Sequence, residues 1–376
     1  MFKDIFGLFS KDLGVDLGTT NTRIYIKGRG LVLNEPSVVA INTRTDQIIA
    51  LGQNALRMIG KVPPHIQIVK PIVNGVVSDF EVAEKMLRLI FEKIHHDKFL
   101  ITPRPRVVAT IPLDVTEVEK KSLEDVIIQA GARQIFLVER PMAAAIGSRL
   151  PIHESIGNLI VELGGGLSEV AVISLSGVVT WKSLKIGGET INKHLTQYLR
   201  EKFGILLGDQ TAEEIKLKIG SVAALPKPQE IKVRGRDLIA GLPREILVND
   251  IQVREAIAPI LKQVVESISD TIEKTPPELV ADVYERGLVI SGGGSLLRGL
   301  DKLIQKKINI PIHLADDPLT AAVRGAGLIL EDFENLKSVI IPSARDWFNF
   351  SATCPLGCAP RLSAVINKKT YILVIH

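Results

Sequence analysis

The sequence predicts an α/β protein made of two similar halves, and three observations carry that prediction. Apolar runs of strand length alternate with helix-length amphipathic segments, the pattern of parallel sheets covered by helices. The same alternation restarts at residue 157. Each half also opens on one short signature. Asp16-Leu17-Gly18-Thr19 and Glu162-Leu163-Gly164-Gly165, 146 residues apart, each place an acid before a glycine turn between two β-like runs. An internal duplication, with one hairpin loop from each half facing a shared cleft, accounts for all three.

Composition narrows the class. The 376 residues are 46% hydrophobic and 23% charged, close to the values of folded domains, which excludes wholesale disorder. A net charge of +4 is too small to point to nucleic acid. Two cysteines cannot staple a chain of this size, so a reducing compartment fits. No apolar run reaches the length of a transmembrane helix, and Asp4, Lys11 and Asp12 interrupt what would be a signal peptide. A soluble cytosolic protein with more than one domain is expected. The start qualifies this: Phe2, Ile5, Phe6 and Phe9 form one helical stripe. Such a stripe suits a membrane interface or the protein's own surface, and Gly7 weakens the helix in either case.

The elements follow in order. Residues 13–18 and the alternating run 23–27 read as a strand pair, with Gly28-Arg29-Gly30 as the next turn. Ser78-Asp79-Phe80-Glu81 has capping-box spacing and opens a helix with Ala83, Leu87, Ile90 and Ile94 on its face. RVVATI at 106–111 is a buried strand stopped by Pro112. Thr116 to Glu119 is a second capping box, and its helix ends at Gly131. A strand at 135–138 leads into a helix with Pro141 at N1. In the second half, strands are expected at 159–161, 170–173 and 288–290, and helices at 189–203, 211–220 and 253–273. A further helix is expected to follow Gly294 through Leu296 and Leu300, and the basic segment 227–236 reads as a solvated hairpin edge.

The glycine loops indicate the chemistry. Glycine turns point backbone N–H groups into an open concavity, which suits phosphate oxygens. The hydroxyls of Thr19, Thr20 and Thr22 add donors around the first loop. Asp16 and Glu162 are placed to hold Mg²⁺ through its waters. A third run, Ser291 to Gly294, lets a base or ribose approach the backbone, and Glu213 and Lys216 share a helix face. Three such elements in this order favour a nucleotide cleft. GxxxxGK[ST] does not occur, so the chain is no P-loop protein. His95-His96 reads as a solvated turn, and Cys354 and Cys358 lack the second pair a zinc site needs.

Longer motifs carry a resemblance. DLGVDLGTTNTRIYIKGRGLVLNEPSVVAI, TEVEKKSLEDVIIQAGA, PMAAAIG, GDQTAEEIKLKIGS, VRGRDLIAGLP, EKTPPELVADVYERG, SGGGSLLRGLDKL and ADDPLTAAVRGAG occur in unbroken order across residues 11–332. Together they resemble the MreB family of bacterial actin-like cell-shape proteins. The resemblance implies the actin/sugar-kinase/heat-shock-chaperone ATPase fold, two domains each with a smaller insertion, closing on ATP and Mg²⁺. On this reading residues 1–11 are an amphipathic membrane-binding segment and 12–146 a first domain, with an insertion at about 38–75. Residues 147–319 are a second domain with an insertion at about 187–250, 320–335 return to the first, and 336–376 form a divergent tail.

The family assembles into paired protofilaments at the inner face of the cytoplasmic membrane and directs the cell-wall elongation machinery. The resemblance therefore implies membrane contact by the N-terminal stripe and by Phe99-Leu100. Carried over by motif, Thr19, Thr20, Asn21, Gly164, Gly165 and Gly166 contact phosphate. Glu213, Glu214, Ile215 and Lys216 contact ribose and base, and Gly293, Gly294, Ser295 and Leu296 line the adenosine side.

Four departures from the family pattern cluster near the γ-phosphate. The glutamate that positions the attacking water is Arg140 here, with Glu139 one residue earlier. The second phosphate loop carries Glu162 where the family has Asp, and Leu167 where it has Thr. Leu113-Asp114 replaces the usual Ser-Gly. Loss of a water-orienting group lowers hydrolysis by orders of magnitude while backbone donors still bind nucleotide. A divergent paralogue that binds ATP and assembles, with weak or lost hydrolysis, is the expectation. A small-molecule kinase on the same fold is the alternative, with Asp114 as its one candidate carboxylate; a chaperone would need a substrate domain after residue 340. The tail is either a partner-binding extension or a translated frameshift.

Overall fold

A computed structural model describes residues 11–95 and 104–342. The membrane candidates Phe2, Ile5, Phe6, Phe9, Phe99 and Leu100, and the tail from residue 343, lie outside the described residues.

The first half opens with an antiparallel meander, β1 (Leu13–Leu17), β2 (Asn21–Ile26) and β3 (Gly30–Pro36). A small layer follows: β4 (Val39–Asn42), β5 (Gln47–Leu51), α1 (Gln53–Met58) and β6 (Ile66–Val69), with the β7 (Ile72–Val73) and β8 (Val76–Val77) hairpin after it. Then come α2 (Phe80–His95), β9 (Arg106–Ile111), α3 (Glu117–Gln129), β10 (Gln134–Glu139) and α4 (Arg140–Gly147). Strands β9 and β10 join β1 in parallel, giving the order β3-β2-β1-β9-β10.

The second half repeats this plan. A meander of β11 (Asn158–Leu163), β12 (Ser168–Ser174) and β13 (Gly177–Leu184) leads to α5 (Gly188–Phe203). A second small layer holds β14 (Ile205–Leu206), α6 (Asp209–Ile219), β15 (Glu230–Asp237) and β16 (Pro243–Asn249). Helices α7 (Asp250–Glu273) and α8 (Pro277–Arg286) precede β17 (Leu288–Ser291), α9 (Leu300–Ile308) and β18 (Ile312–Leu314). The sheet order is β13-β12-β11-β17-β18, with β17 and β18 parallel to β11. Strand for strand, this is the topology of the first sheet. Helices α10 (Ala321–Glu331) and α11 (Phe333–Leu336) close the described chain.

Each sheet has its own apolar core: Val15, Leu87, Val107 and Ile127 in the first, Val161, Leu195, Ile257 and Ile290 in the second. Between them α4 packs on α10 through small residues. A Cβ on Gly147 would lie 2.0 Å from the Ala321 carbonyl oxygen, and one on Gly325 would lie 1.7 Å from that of Ala143. Only glycine allows this approach.

Three local expectations are corrected. The N-terminus of α2 is capped by Asp79, whose carboxylate accepts from Val82 N–H at 3.1 Å, and not by Ser78. After Gly294 the chain makes a single 3₁₀ turn, Gly293–Leu296; α9 starts only at Leu300, because Gly299 takes φ 80°. The basic segment does form a solvated hairpin, β15–β16, with Lys232, Arg234 and Arg236 exposed, but β15 is not an edge throughout, because β14 pairs with it at Arg236 and Asp237. Thr116 and Glu119 do form the reciprocal capping box on α3.

Candidate nucleotide cleft

The two signature turns are built alike. Gly18 N–H donates to the Asn21 carbonyl at 3.1 Å, and Gly164 N–H to that of Leu167 at 2.8 Å. The N–H groups of Thr19, Thr20, Gly165 and Gly166 donate to no carbonyl of these turns, leaving backbone donors for an anion. The turns sit at the carboxyl ends of β1 and β11, where open α/β sheets bind ligands, and they touch. A Cβ on Gly165 would lie 1.7 Å from Thr20 Oγ1, and one on Gly166 2.6 Å from Thr19 Oγ1. Thr19 Oγ1 accepts from Gly75 N–H at 2.9 Å, which ties the β7–β8 turn to the first loop.

The other candidates divide. The third glycine run packs on the second: a Cβ on Gly292 or Gly294 would collide with Leu163. Ser295 is buried and donates to the Gly292 carbonyl at 2.6 Å, while Leu296 is half exposed. Lys216 Nζ lies 2.6 Å from Glu213 Oε2 and 3.1 Å from the Gly188 carbonyl oxygen, linking α6 to the start of α5 beside the second loop. Glu214 pairs with Lys218 on the outer face, and Ile215 is fully buried in the second core, so its side chain does not reach the cleft. Asn21 turns its amide to Asn34. Thr22 adds no donor: it is buried and hydrogen-bonded to Ser37 at 2.9 Å. Asp114 lines a cavity of about 210 Å³ that borders the second turn at Leu167 and the β7–β8 turn at Asn74.

Beneath the joined turns lies a buried charge cluster. Asp16 Oδ1 accepts from Thr110 Oγ1 at 2.8 Å and lies 3.2 Å from Arg140 Nη2; Oδ2 lies 3.2 Å from Arg23 Nη1. Glu162 and Glu169 stand opposite each other on the antiparallel pair β11–β12. Glu169 Oε1 accepts from Leu113 N–H at 2.6 Å, but Oε2 of both glutamates is buried without a partner. Arg140, the first residue of α4, is buried, and its Nε and Nη2 make no aligned hydrogen bond. Glu139 caps α4 without a side-chain hydrogen bond and is half-buried.

Titration follows from this placement. Burial raises the Asp16 carboxyl, but the Arg140 and Arg23 guanidiniums and the Thr110 hydroxyl outweigh it and hold Asp16 below its usual range. Burial dominates at Glu162 and Glu169, which are pushed up to about 7. Burial also raises Glu139, whose charge acts on Glu169 in turn. Arg140 is disfavoured by burial, yet Asp16, Glu169 and Glu162 keep it charged and raise its pKa.

Glu169, Arg23, Thr110 and Gly75 are cleft residues that motif reading missed. Glu169 had a signal. It follows Glu162 by seven positions, as Arg23 follows Asp16, and it is an acid inside an apolar strand.

A hydrated Mg²⁺ held by Asp16 and Glu162 does not fit this arrangement. Both Asp16 oxygens already face a hydroxyl or a guanidinium, and the one unpartnered oxygen of the two acids, Glu162 Oε2, is buried, which is too little for the several waters that Mg²⁺ keeps. Among the described residues no three Asp, Glu, His or Cys side chains form a metal cage.

Comparisons with known proteins agree with the geometry. The family model for MreB/Mbl protein matches residues 10–338. The cell shape-determining protein MreB of Escherichia coli K12 is 45% identical over 337 residues, which cover 88% of this chain and 96% of that protein. MreB5 of Spiroplasma citri bound to ADP superposes with a TM-score of 0.83 at 32% identity, covering 87% of this chain and 98% of that one; its complex with AMPPNP gives 0.82. A chain of the MamK double helical filament, 22% identical, shares the fold with a TM-score of 0.71, covering 85% of this chain and 98% of that one.

Proposed function

The chain belongs to the MreB/Mbl family of actin-like cell shape-determining proteins, and from that premise we propose that it binds ATP in the cleft between its halves and assembles with itself into membrane-associated filaments. The observation that carries this reading is the meeting of two glycine turns, Gly165 and Gly166 against Thr20 and Thr19, at the ends of two sheets of identical topology. Free N–H groups on both turns give a polyphosphate donors from each half, so a nucleotide bridges the halves and favours their closed arrangement. The ADP and AMPPNP complexes of MreB5 support this use of the cleft, and its family's cell-shape role supports assembly.

Closure has further supports in the chain itself. Lys70 Nζ lies 2.7 Å from Glu189 Oε1, and Gln210 donates to the Leu56 carbonyl, each joining the small layer of the first half to a helix of the second. No described helix is long and apolar enough to cross a membrane. Attachment at the inner face of the cytoplasmic membrane is assigned to the stripe Phe2, Ile5, Phe6 and Phe9 and to Phe99-Leu100, whose sequence suits an interface. Filaments held there organise cell-wall elongation and rod shape. Hydrolysis is slow, because Arg140 stands at the position where the family carries the glutamate that orients water.

Sedimentation of the purified full chain with vesicles of anionic phospholipid tests this reading. Pelleting is expected with ATP and AMPPNP and not without nucleotide. A monomer indifferent to both nucleotide and lipid would overturn it.

A further inference from the structure

The charge cluster carries an inference beyond nucleotide binding as such. Arg140 lies under the junction of the two turns: its Nη1 is 3.2 Å from where a Cβ on Gly75 would sit, and Gly75 N–H is bonded to Thr19. A cation at the first residue of a helix is opposed by the helix dipole. Burial adds to the cost, and the Nε donor is left without an acceptor, while Nη2 is spent on Asp16 3.2 Å away. An arrangement of this kind is completed by an anion. The three surrounding acids, Asp16, Glu162 and Glu169, balance the guanidinium when the cleft holds none.

We propose that Arg140 is the resident cation of the phosphate site, its guanidinium standing beside Asp16 in place of a divalent metal, so that nucleotide binds in this cleft without Mg²⁺. The proposal rests on the nucleotide reading above. Its first support is geometric, since both Asp16 oxygens already face a hydroxyl or a guanidinium where a metal's waters would have to sit. Its second is electrostatic: a divalent ion beside Asp16 would face two guanidiniums already 3.2 Å from that carboxylate. The third is chemical. A guanidinium presents a planar fork of donors to phosphate oxygens and stays charged at any working pH.

Titration of a fluorescent ATP analogue into the full chain, at matched ionic strength, in excess Mg²⁺ and in EDTA, tests it. The dissociation constant is expected to differ by less than about fivefold between the two conditions. Arg140→Glu is expected to weaken binding in EDTA by more than about fivefold relative to Mg²⁺, whereas Arg140→Lys keeps the charge and stays insensitive to metal. Circular dichroism checks that each variant folds; if Arg140→Glu does not, the native chain and Arg140→Lys still decide. A native chain whose affinity drops by more than about fivefold in EDTA overturns the proposal, as does a folded Arg140→Glu that remains indifferent to metal. Absence of binding in both conditions would instead sink the nucleotide reading, and this inference with it.

Discussion

The two glycine hairpins share a backbone and differ in charge. Across β1 and β2 the acid Asp16 faces Arg23; across β11 and β12, in the same register, Glu162 faces Glu169. The first hairpin therefore carries its own counter-ion. The second sets like charges opposite each other, which is destabilising on a strand pair, and draws its compensation from Arg140 on α4. Duplication has kept the turn geometry, Gly18 to Asn21 and Gly164 to Leu167, while charge balance has become a property of both halves together. A cation at position 140 is thus structural for one hairpin and available to ligand at the other.

The largest expected effect comes from removing that shared cation. Arg140→Gln leaves Glu162 and Glu169 without it, and loss of one partner from a buried cluster costs about 3–5 kcal/mol. The loss should be greatest at pH 8 and shrink near pH 5, where both glutamates are already protonated. Arg23→Gln should cost less at either pH, because Asp16 keeps Thr110 and Arg140. Thermal melts of both variants at the two pH values check the order; equal losses would break the comparison.

An intermediate effect is expected at Glu169. With its carboxyl at about 7 against 4.5 for a free glutamate, the folded chain holds a proton that the unfolded chain releases. Stability conferred by that proton is complete below about pH 4.5 and is lost as pH rises through about 7. Glu169→Gln keeps the Oε1 acceptor for Leu113 and removes this dependence. The variant should match the native chain near pH 5 and melt higher at pH 8.

The smallest effect belongs to the exposed contact across the halves. Lys70→Ala removes the pair with Glu189, whose side chains are 40% and 27% exposed, and a solvated pair contributes about 0–1 kcal/mol. Melting should barely move. Any change in nucleotide affinity on this substitution would show that the contact selects the closed arrangement.

The same contrast explains what could be read from sequence. Both hairpins were legible, because alternation and an acid-Leu-Gly turn are local signals. The α3 capping box was legible for the same reason. In the small layers the hairpin at 227–236 was legible, whereas the extent of both layers came only through the family resemblance, since β6 returns to β4 and β15 to β14 across intervening elements. Within the cleft, the phosphate-facing glycines are turn signals, but nothing local reveals that Thr22 is spent on Ser37 or that Ile215 faces the core. The identity of residue 140 was plain, and its departure from the family glutamate was too. Its partner was not, because Asp16 lies 124 positions away in sequence and meets it only through packing of α4 against the first sheet.

Phosphate release tests most directly whether this cleft binds and assembles without efficient turnover. Measured beside Escherichia coli MreB under the same polymerising conditions with ATP and Mg²⁺, this chain should sediment while releasing phosphate at least about tenfold more slowly, and Arg140→Glu should raise the rate. Turnover equal to that relative in the native chain would contradict the account.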